Sequence, residues 1–407
     1  MVRPAVGSPH LVLAYASPPY RHKGFRASQK LNASVMISIE IAKYFQSGTI
    51  LAVTALSIAA FQSWQNRDAR HMLQGNNSQL GLIVIALTAY CLIIGNRPLS
   101  GVLFGDTANY AMTYGWVKLE DVRIGIGEYE WLFAFITALC AKYVDVSVYF
   151  TVIMFGYMFF ALGGLRRLFG NNTYGALLFY MGAFSFFTYA TNGIRNGLAC
   201  SIVILAISFI ATERKNYMAY ALLCMAAFFI HKSSALPIVC SMAALFIKNP
   251  RPLIYFWFLS IVLSVVARGA IESFFTGLGF DDRLSGYVQA ADAYADQGFK
   301  GGFRPDFLLY SFMPILLGMV VTSKTGTSDR TYRILLSTYT LANSFWVMMM
   351  NAAYSNRFAY LSWFLYPVVI AYPCLRMNVW GKSQGRIAGT ILMAHTAFTL
   401  FMTFIYY

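Results

Sequence analysis

Apolar runs recur along this chain at about 47–61, 79–95, 131–143, 146–165, 172–190, 194–211, 217–230, 234–247, 253–267, 306–322, 334–350, 357–375 and 387–405. Most approach the length of a membrane-spanning helix, roughly 17–25 residues. The piece at 131–143 is short for a crossing. So many apolar runs cannot be hidden in one soluble core, which excludes a soluble all-α enzyme. Charge content agrees: 12% of residues are charged, against about 25% in soluble domains. The expected fold is all-α, a polytopic helical membrane protein with about 12 transmembrane helices plus one short re-entrant or surface helix at 131–143. Residues 1–43 are polar and basic and read as a disordered tail or an over-extended start. Residues 44–407 read as a single multi-span domain with outer loops at about 96–130 and 268–305.

The formal net charge is +15. In a soluble protein that would raise nucleic acid as a partner, but no nucleic-acid motif is present. The basic residues fall mainly in the tail and in alternate short loops. Arg166-Arg167, Arg214-Lys215, Lys248 with Arg251, Lys324 with Arg330 and Arg333, and Arg376 with Lys382 and Arg386 mark one side. Short basic loops face the cytoplasm, so the intervening loops face outward. The 268–305 loop is acid-balanced, as an outer loop permits. If 131–143 dips in and returns, or lies along the surface, then residues 96–128 are also outside and 65–78 inside. This leaves the basic tail outside, against the same rule. A full crossing at 131–143 would instead put Asp106 on the cytoplasmic side. None of the six cysteines forms a C-x-x-C pattern, and all read as small buried apolar residues.

Thr191–Ala235 organises the outer face. Two apolar runs lie back to back around Glu213-Arg214-Lys215-Asn216, so Arg195 at the start of one and His231 at the end of the other emerge on the same side. Asp106, Glu128 with Glu130, and Arg357 join them there. Each has a bland reading: Asp106 as a helix cap, the glutamates as a solvated pair, Arg195 and Arg357 as side chains reaching the interface, and His231 as a hydrogen-bonded helix end. Together they are suggestive. Arginine binds phosphate and diphosphate bidentately and stays charged. A carboxylate or histidine accepts the proton of a sugar hydroxyl. No H-E-x-x-H, Cys/His cluster, Walker-type loop or G-x-S-x-G is present. Neither a metal nor any other cofactor is therefore expected, and energy for a synthesis must come from the substrate.

The same residues resemble the EpsG family of Wzy-type polysaccharide polymerases. Asn192-Gly193-Ile194-Arg195-Asn196-Gly197-Leu198-Ala199 is similar to its N-x-x-R-x-x-x-A pattern. His231-Lys232-Ser233-Ser234-Ala235-Leu236 is similar to its H-x-S-A-L element, with one extra serine position. Arg97-Pro98, Gly105-Asp106-Thr107 and Tyr110 resemble the first-loop pattern. Tyr129-Glu130-Trp131-Leu132 resembles the Y-E-x-L helix entry, and Tyr354-Ser355-Asn356-Arg357 a later arginine element. The likeness covers about 79–375; the tail and first run have no counterpart in it. It implies polymerisation of undecaprenyl-diphosphate-linked oligosaccharide repeat units at the outer face of the bacterial cytoplasmic membrane, for exopolysaccharide, capsule or O-antigen, with a chain-length regulator as a further partner. The expected roles are His231, Asp106 or Glu130 as base, His231 favoured, and Arg195, Arg357, Asn192, Tyr110 and Ser233 in substrate binding. The rival readings are a membrane O-acyltransferase with His231 as base and a flippase or transporter of lipid-linked sugars. The second fits less well, because the charges sit at helix ends rather than along a path through the membrane centre.

Overall fold

The computed structural model describes residues 39–42, 44–120, 130–267, 269–271, 273, 303–352 and 355–406. The basic tail before residue 39, Glu128, Tyr354 and most of the 268–305 loop lie outside the described residues. Every regular element among those described is helical. After one helical turn at Ile39–Ala42 come α1 (Phe45–Trp64), the short α2 (Ala69–Gln74) and α3 (Leu80–Gly95). Next come α4 (Gly101–Phe104) and α5 (Thr107–Glu120). These two helices lie within the segment that the sequence reading gives as an outer loop at about 96–130. The Ser100 side chain accepts the Leu103 N–H and starts the first turn. Thr107, Ala111 and Tyr114 then bury one face of α5, an amphipathic pattern too polar to register as a span.

The short helix α6 (Trp131–Tyr143) is followed by α7 (Val146–Phe169). The run expected at 172–190 is not one helix but two: α8 (Thr173–Met181) and α9 (Phe186–Thr191). Breaking a helix inside an apolar core frees main-chain carbonyls that need partners. Residues of the last long helix supply them. His395 Nε2 donates to the Phe179 carbonyl at 3.0 Å, and Thr399 Oγ1 to that of Gly182 at 2.7 Å.

The remaining helices are α10 (Ile194–Ala211), α11 (Tyr217–Ile230), α12 (Ala235–Ala244), α13 (Arg251–Val266), α14 (Pro305–Thr325), α15 (Arg330–Met348), α16 (Asn356–Trp363), α17 (Tyr366–Arg376) and α18 (Gln384–Phe401). Among the described residues, six stretches are long and apolar enough to cross a membrane, with four shorter apolar helices beside them. This is a multi-pass, all-α membrane protein. α10 lies at its centre, packed between α7 and α11. At Gly164 of α7 a side chain would meet the Leu205 backbone nitrogen at 2.9 Å, so glycine sets the close approach of these two helices. α15 is equally enclosed yet rich in Ser and Thr. The hydroxyls of Thr338, Thr340 and Ser344 return to carbonyls of their own helix. Asn343 accepts from the Trp257 indole at 2.7 Å and donates to Ser362. Asn343 thus uses both ends of its amide, which is what makes its burial tolerable.

Two ends of the bundle can be told apart by what stitches them. At one end, basic and amide side chains donate to the last carbonyls of helices. Arg330 reaches the Ile210 and Ala211 carbonyls, Arg251 that of Thr322, and Asn172 those of Met72 and Leu375. Cations at helix C-termini are favourable against the helix dipole. These belong to the basic loops that the sequence reading expects to face the cytoplasm. The opposite end holds Asn192, Arg195, His231 and Arg357. α6 begins there, and its C-cap carbonyl, Val144, accepts from Tyr114 of α5 beside the start of α7. Both ends of α6 therefore lie at the same end of the bundle.

Candidate functional site

The site is built around Glu130. The chain enters α6 through this residue with φ 53° and ψ 40°, the one positive-φ non-glycine residue among those described. A left-handed conformation costs an ordinary L-residue roughly 1–2 kcal/mol, and such strain persists only where the surroundings over-determine it. Here they do. The Glu130 side chain is 4% exposed, and three donors converge on its carboxylate. Arg195 Nη1 lies 2.5 Å from Oε2; His231 Nδ1 lies 2.7 Å and the Lys232 N–H 3.2 Å from Oε1.

Each donor is delivered by a helix end. Arg195 sits in the first turn of α10, where the helix dipole disfavours a cation; the Glu130 carboxylate offsets that. Its guanidinium also lies 5.6 Å from the Tyr110 ring centroid and 5.8 Å from that of Phe133, with Nε 3.5 Å from the Tyr110 hydroxyl. His231 caps α11 in extended conformation, and the short 3-10 turn Lys232–Ser234 then redirects the chain into α12. Ser233 is in that turn. To donate to the carboxylate, His231 Nδ1 must carry a proton. A neutral imidazole held this way presents Nε2 as its acceptor.

A second group lies one helical turn along α5. Gly105 turns the chain with φ 54° and ψ −118°, and a β-carbon there would stand 2.4 Å from the Asn192 side-chain oxygen. Only glycine permits both the backbone and the approach. Asn192 Oδ1 then accepts the Asp106 N–H at 2.9 Å. The Asp106 carboxylate accepts from Asn109 at 3.2 Å and from Arg357 Nη2, in the first turn of α16, at 3.4 Å. The two groups share their supports: Asp106 immediately precedes α5 and its carbonyl accepts the Tyr110 N–H one turn on, and Asn192 and Arg195 flank the bend between α9 and α10.

Asp106, Tyr110, Glu130, Asn192, Arg195, His231 and Arg357 are thus joined by side-chain or main-chain contacts, with Ser233 adjoining. Sequence reasoning missed the Lys232 main-chain N–H, the central place of Glu130 and the burial of Arg97 against Thr107 and the Thr191 carbonyl. The Arg97-Pro98 pair at the end of an apolar helix was the available signal for the last. Among the described residues no group of three or more His, Cys, Asp or Glu side chains is placed to hold a metal.

Fold and site together define a multi-pass helical membrane protein with an arginine- and carboxylate-lined cluster at one end of its bundle. The chain belongs to the EpsG family, whose model matches residues 80–407. That membership places it in polysaccharide biosynthesis. No curated protein and no solved structure matches the chain.

Proposed function

We propose that the protein joins undecaprenyl-diphosphate-linked oligosaccharide repeat units at the outer face of the bacterial cytoplasmic membrane. The observation that carries this reading is the Glu130 carboxylate held between His231 and Arg195, with Arg357 and Asp106 beside it. His231 Nε2 takes the proton of the acceptor sugar hydroxyl, whose oxygen attacks the anomeric carbon of the donor. The anomeric C–O bond to diphosphate breaks, and lipid diphosphate leaves with the electron pair. Arg195 and Arg357 stabilise the charge that develops on the leaving group. Glu130 orients the imidazole and stabilises it once protonated, the role a buried carboxylate plays in a Ser-His-Asp triad. Asn192, Tyr110 and Ser233 line the approach and bind sugar hydroxyls. Cleavage of the sugar–diphosphate bond drives the reaction. The site's location at the end opposite the basic loops supports an outward-facing reaction.

The test is the length distribution of surface polysaccharide in a deletion strain complemented with wild type, Arg195→Ala or His231→Ala at matched protein level. Loss of long chains in both variants, with the lipid-linked unit still made and still reaching the outer face, supports the assignment. Normal chain length with a missing acyl group would replace it with the acyltransferase reading.

A further inference from the structure

Arg97 is a buried arginine that the proposed chemistry does not use. It stands just beyond α3 and is 2% exposed. Its three hydrogen-bond acceptors are neutral oxygens: Nε donates to Thr107 Oγ1 at 3.0 Å, Nη1 to the Ile94 carbonyl at 2.9 Å and Nη2 to the Thr191 carbonyl at 3.4 Å. The guanidinium also lies 4.2 Å from the centroid of the Phe150 ring. Burial pushes its pKa down to about 9, still charged near neutrality. Burying an arginine without a carboxylate is costly. Here the counter-charge comes from the carbonyl ends of two helices, α3 and α9.

The acceptors explain the arrangement. Thr107 follows Asp106, and Thr191 precedes Asn192. The Thr107 hydroxyl itself donates to the Thr191 carbonyl at 3.0 Å. Arg97 is therefore one residue removed from both partners of the Asp106–Asn192 hydrogen bond, and it fixes the start of α5 against the end of α9. Only a planar fork reaches acceptors on three segments at once; an ammonium is a point charge.

We infer that Arg97 is a positioning residue: through Thr107 and Thr191 it sets Asp106, and hence Arg357, for binding of the lipid diphosphate. This rests on the diphosphate-binding role given to Arg357 above. The experiment titrates undecaprenyl diphosphate onto purified full-length protein in nanodiscs. Arg97→Lys and Thr107→Val each remove part of the fork's bonding, and loss of a charged hydrogen bond predicts a Kd raised about tenfold in each. Because they break one network, the double variant binds no more weakly than the weaker single. Thr107→Ser keeps the hydroxyl and retains wild-type affinity. A purely structural role would lower the fraction of protein that binds and leave Kd unchanged. That result, or additive effects of the two changes, overturns the inference. If Arg97→Lys does not fold, the Thr107→Val and Thr107→Ser pair decides the question. Failure of the wild type to join repeat units would defeat the polymerase reading while leaving this binding comparison intact.

Discussion

Replacing Glu130 by glutamine changes one oxygen for an NH2 group and separates orientation from charge. The carboxylate accepts on both oxygens: Oε2 from Arg195, Oε1 from His231 and the Lys232 N–H. A glutamine has one acceptor end. With its oxygen toward His231 and Lys232, its NH2 faces the Arg195 guanidinium, donor against donor. With its oxygen toward Arg195, its NH2 faces His231 Nδ1, which must then be the bare nitrogen. That second state moves the imidazole proton to Nε2 and removes the base. Either state also leaves the protonated imidazole of the transition state without its compensating charge. The corresponding change in a serine protease triad, Asp to Asn, costs about 10⁴-fold; for Glu130→Gln we expect a loss of roughly 10³–10⁴-fold in chain elongation. Stability should fall by about 1–3 kcal/mol for the hydrogen bonds to charged groups that are lost. The assay is elongation of a lipid-linked repeat unit by purified protein, with thermal unfolding measured alongside. A Glu130→Gln variant that elongates within a factor of ten of wild type would refute the reasoning, because no orientation of the amide satisfies all three donors.

The strained backbone at the same residue gives a separate expectation. Glu130→Ala and Glu130→Gly both delete the carboxylate and both abolish long chains, but only glycine relaxes the left-handed conformation. The glycine variant should be about 1 kcal/mol the more stable in thermal unfolding, and equal stability would mean that φ relaxes freely on truncation. Gly105→Ala drives a β-carbon into the Asn192 side chain at 2.4 Å and should shorten polysaccharide chains at normal protein level; wild-type length would show that the Asp106–Asn192 contact is dispensable. Asp106 and Arg357 are each about one-third exposed, so Asp106→Asn should alter stability by no more than about 1 kcal/mol while weakening diphosphate binding. A large drop in thermal stability would recast the pair as structural. At the other end of the bundle, Gln384 is buried, donates toward the Pro373, Cys374 and Met377 carbonyls and accepts two main-chain N–H groups. Gln384→Leu should cost a few kcal/mol, about 1–3 for each buried group left unpaired. It should reduce membrane levels without changing chain length per folded molecule.

What the sequence made legible, and what it hid, follows from how each feature is enforced. A charge beside an apolar run is costly unless it reaches a helix end or a partner, so Arg195, His231 and Arg357 could be placed at one end from the run boundaries alone. Their pairing could not, because it depends on how far each helix is rotated about its axis. Glu130 is the sharper case. Glutamate carries no preference for left-handed backbone, so nothing local announced it; the conformation is imposed by donors 65 to 102 residues away. The break between α8 and α9 was hidden for a related reason. Ala183, Phe184, Phe186 and Phe187 keep the run apolar across the break, while the freed carbonyls are satisfied from α18, 216 and 217 residues away. Hydropathy registers side chains and is blind to where main-chain hydrogen bonds are made. Arg97 combines both limits: its position beyond α3 was visible, but its acceptors are two helix-end carbonyls and a hydroxyl, which no residue pattern encodes. A charge whose counter-charge is main-chain leaves no partner residue to find in the sequence. In a chain with only 12% charged residues, a buried arginine with no carboxylate among its acceptors is therefore a pointer to a built site in its own right, beside the ion pairs of Glu130 and Asp106.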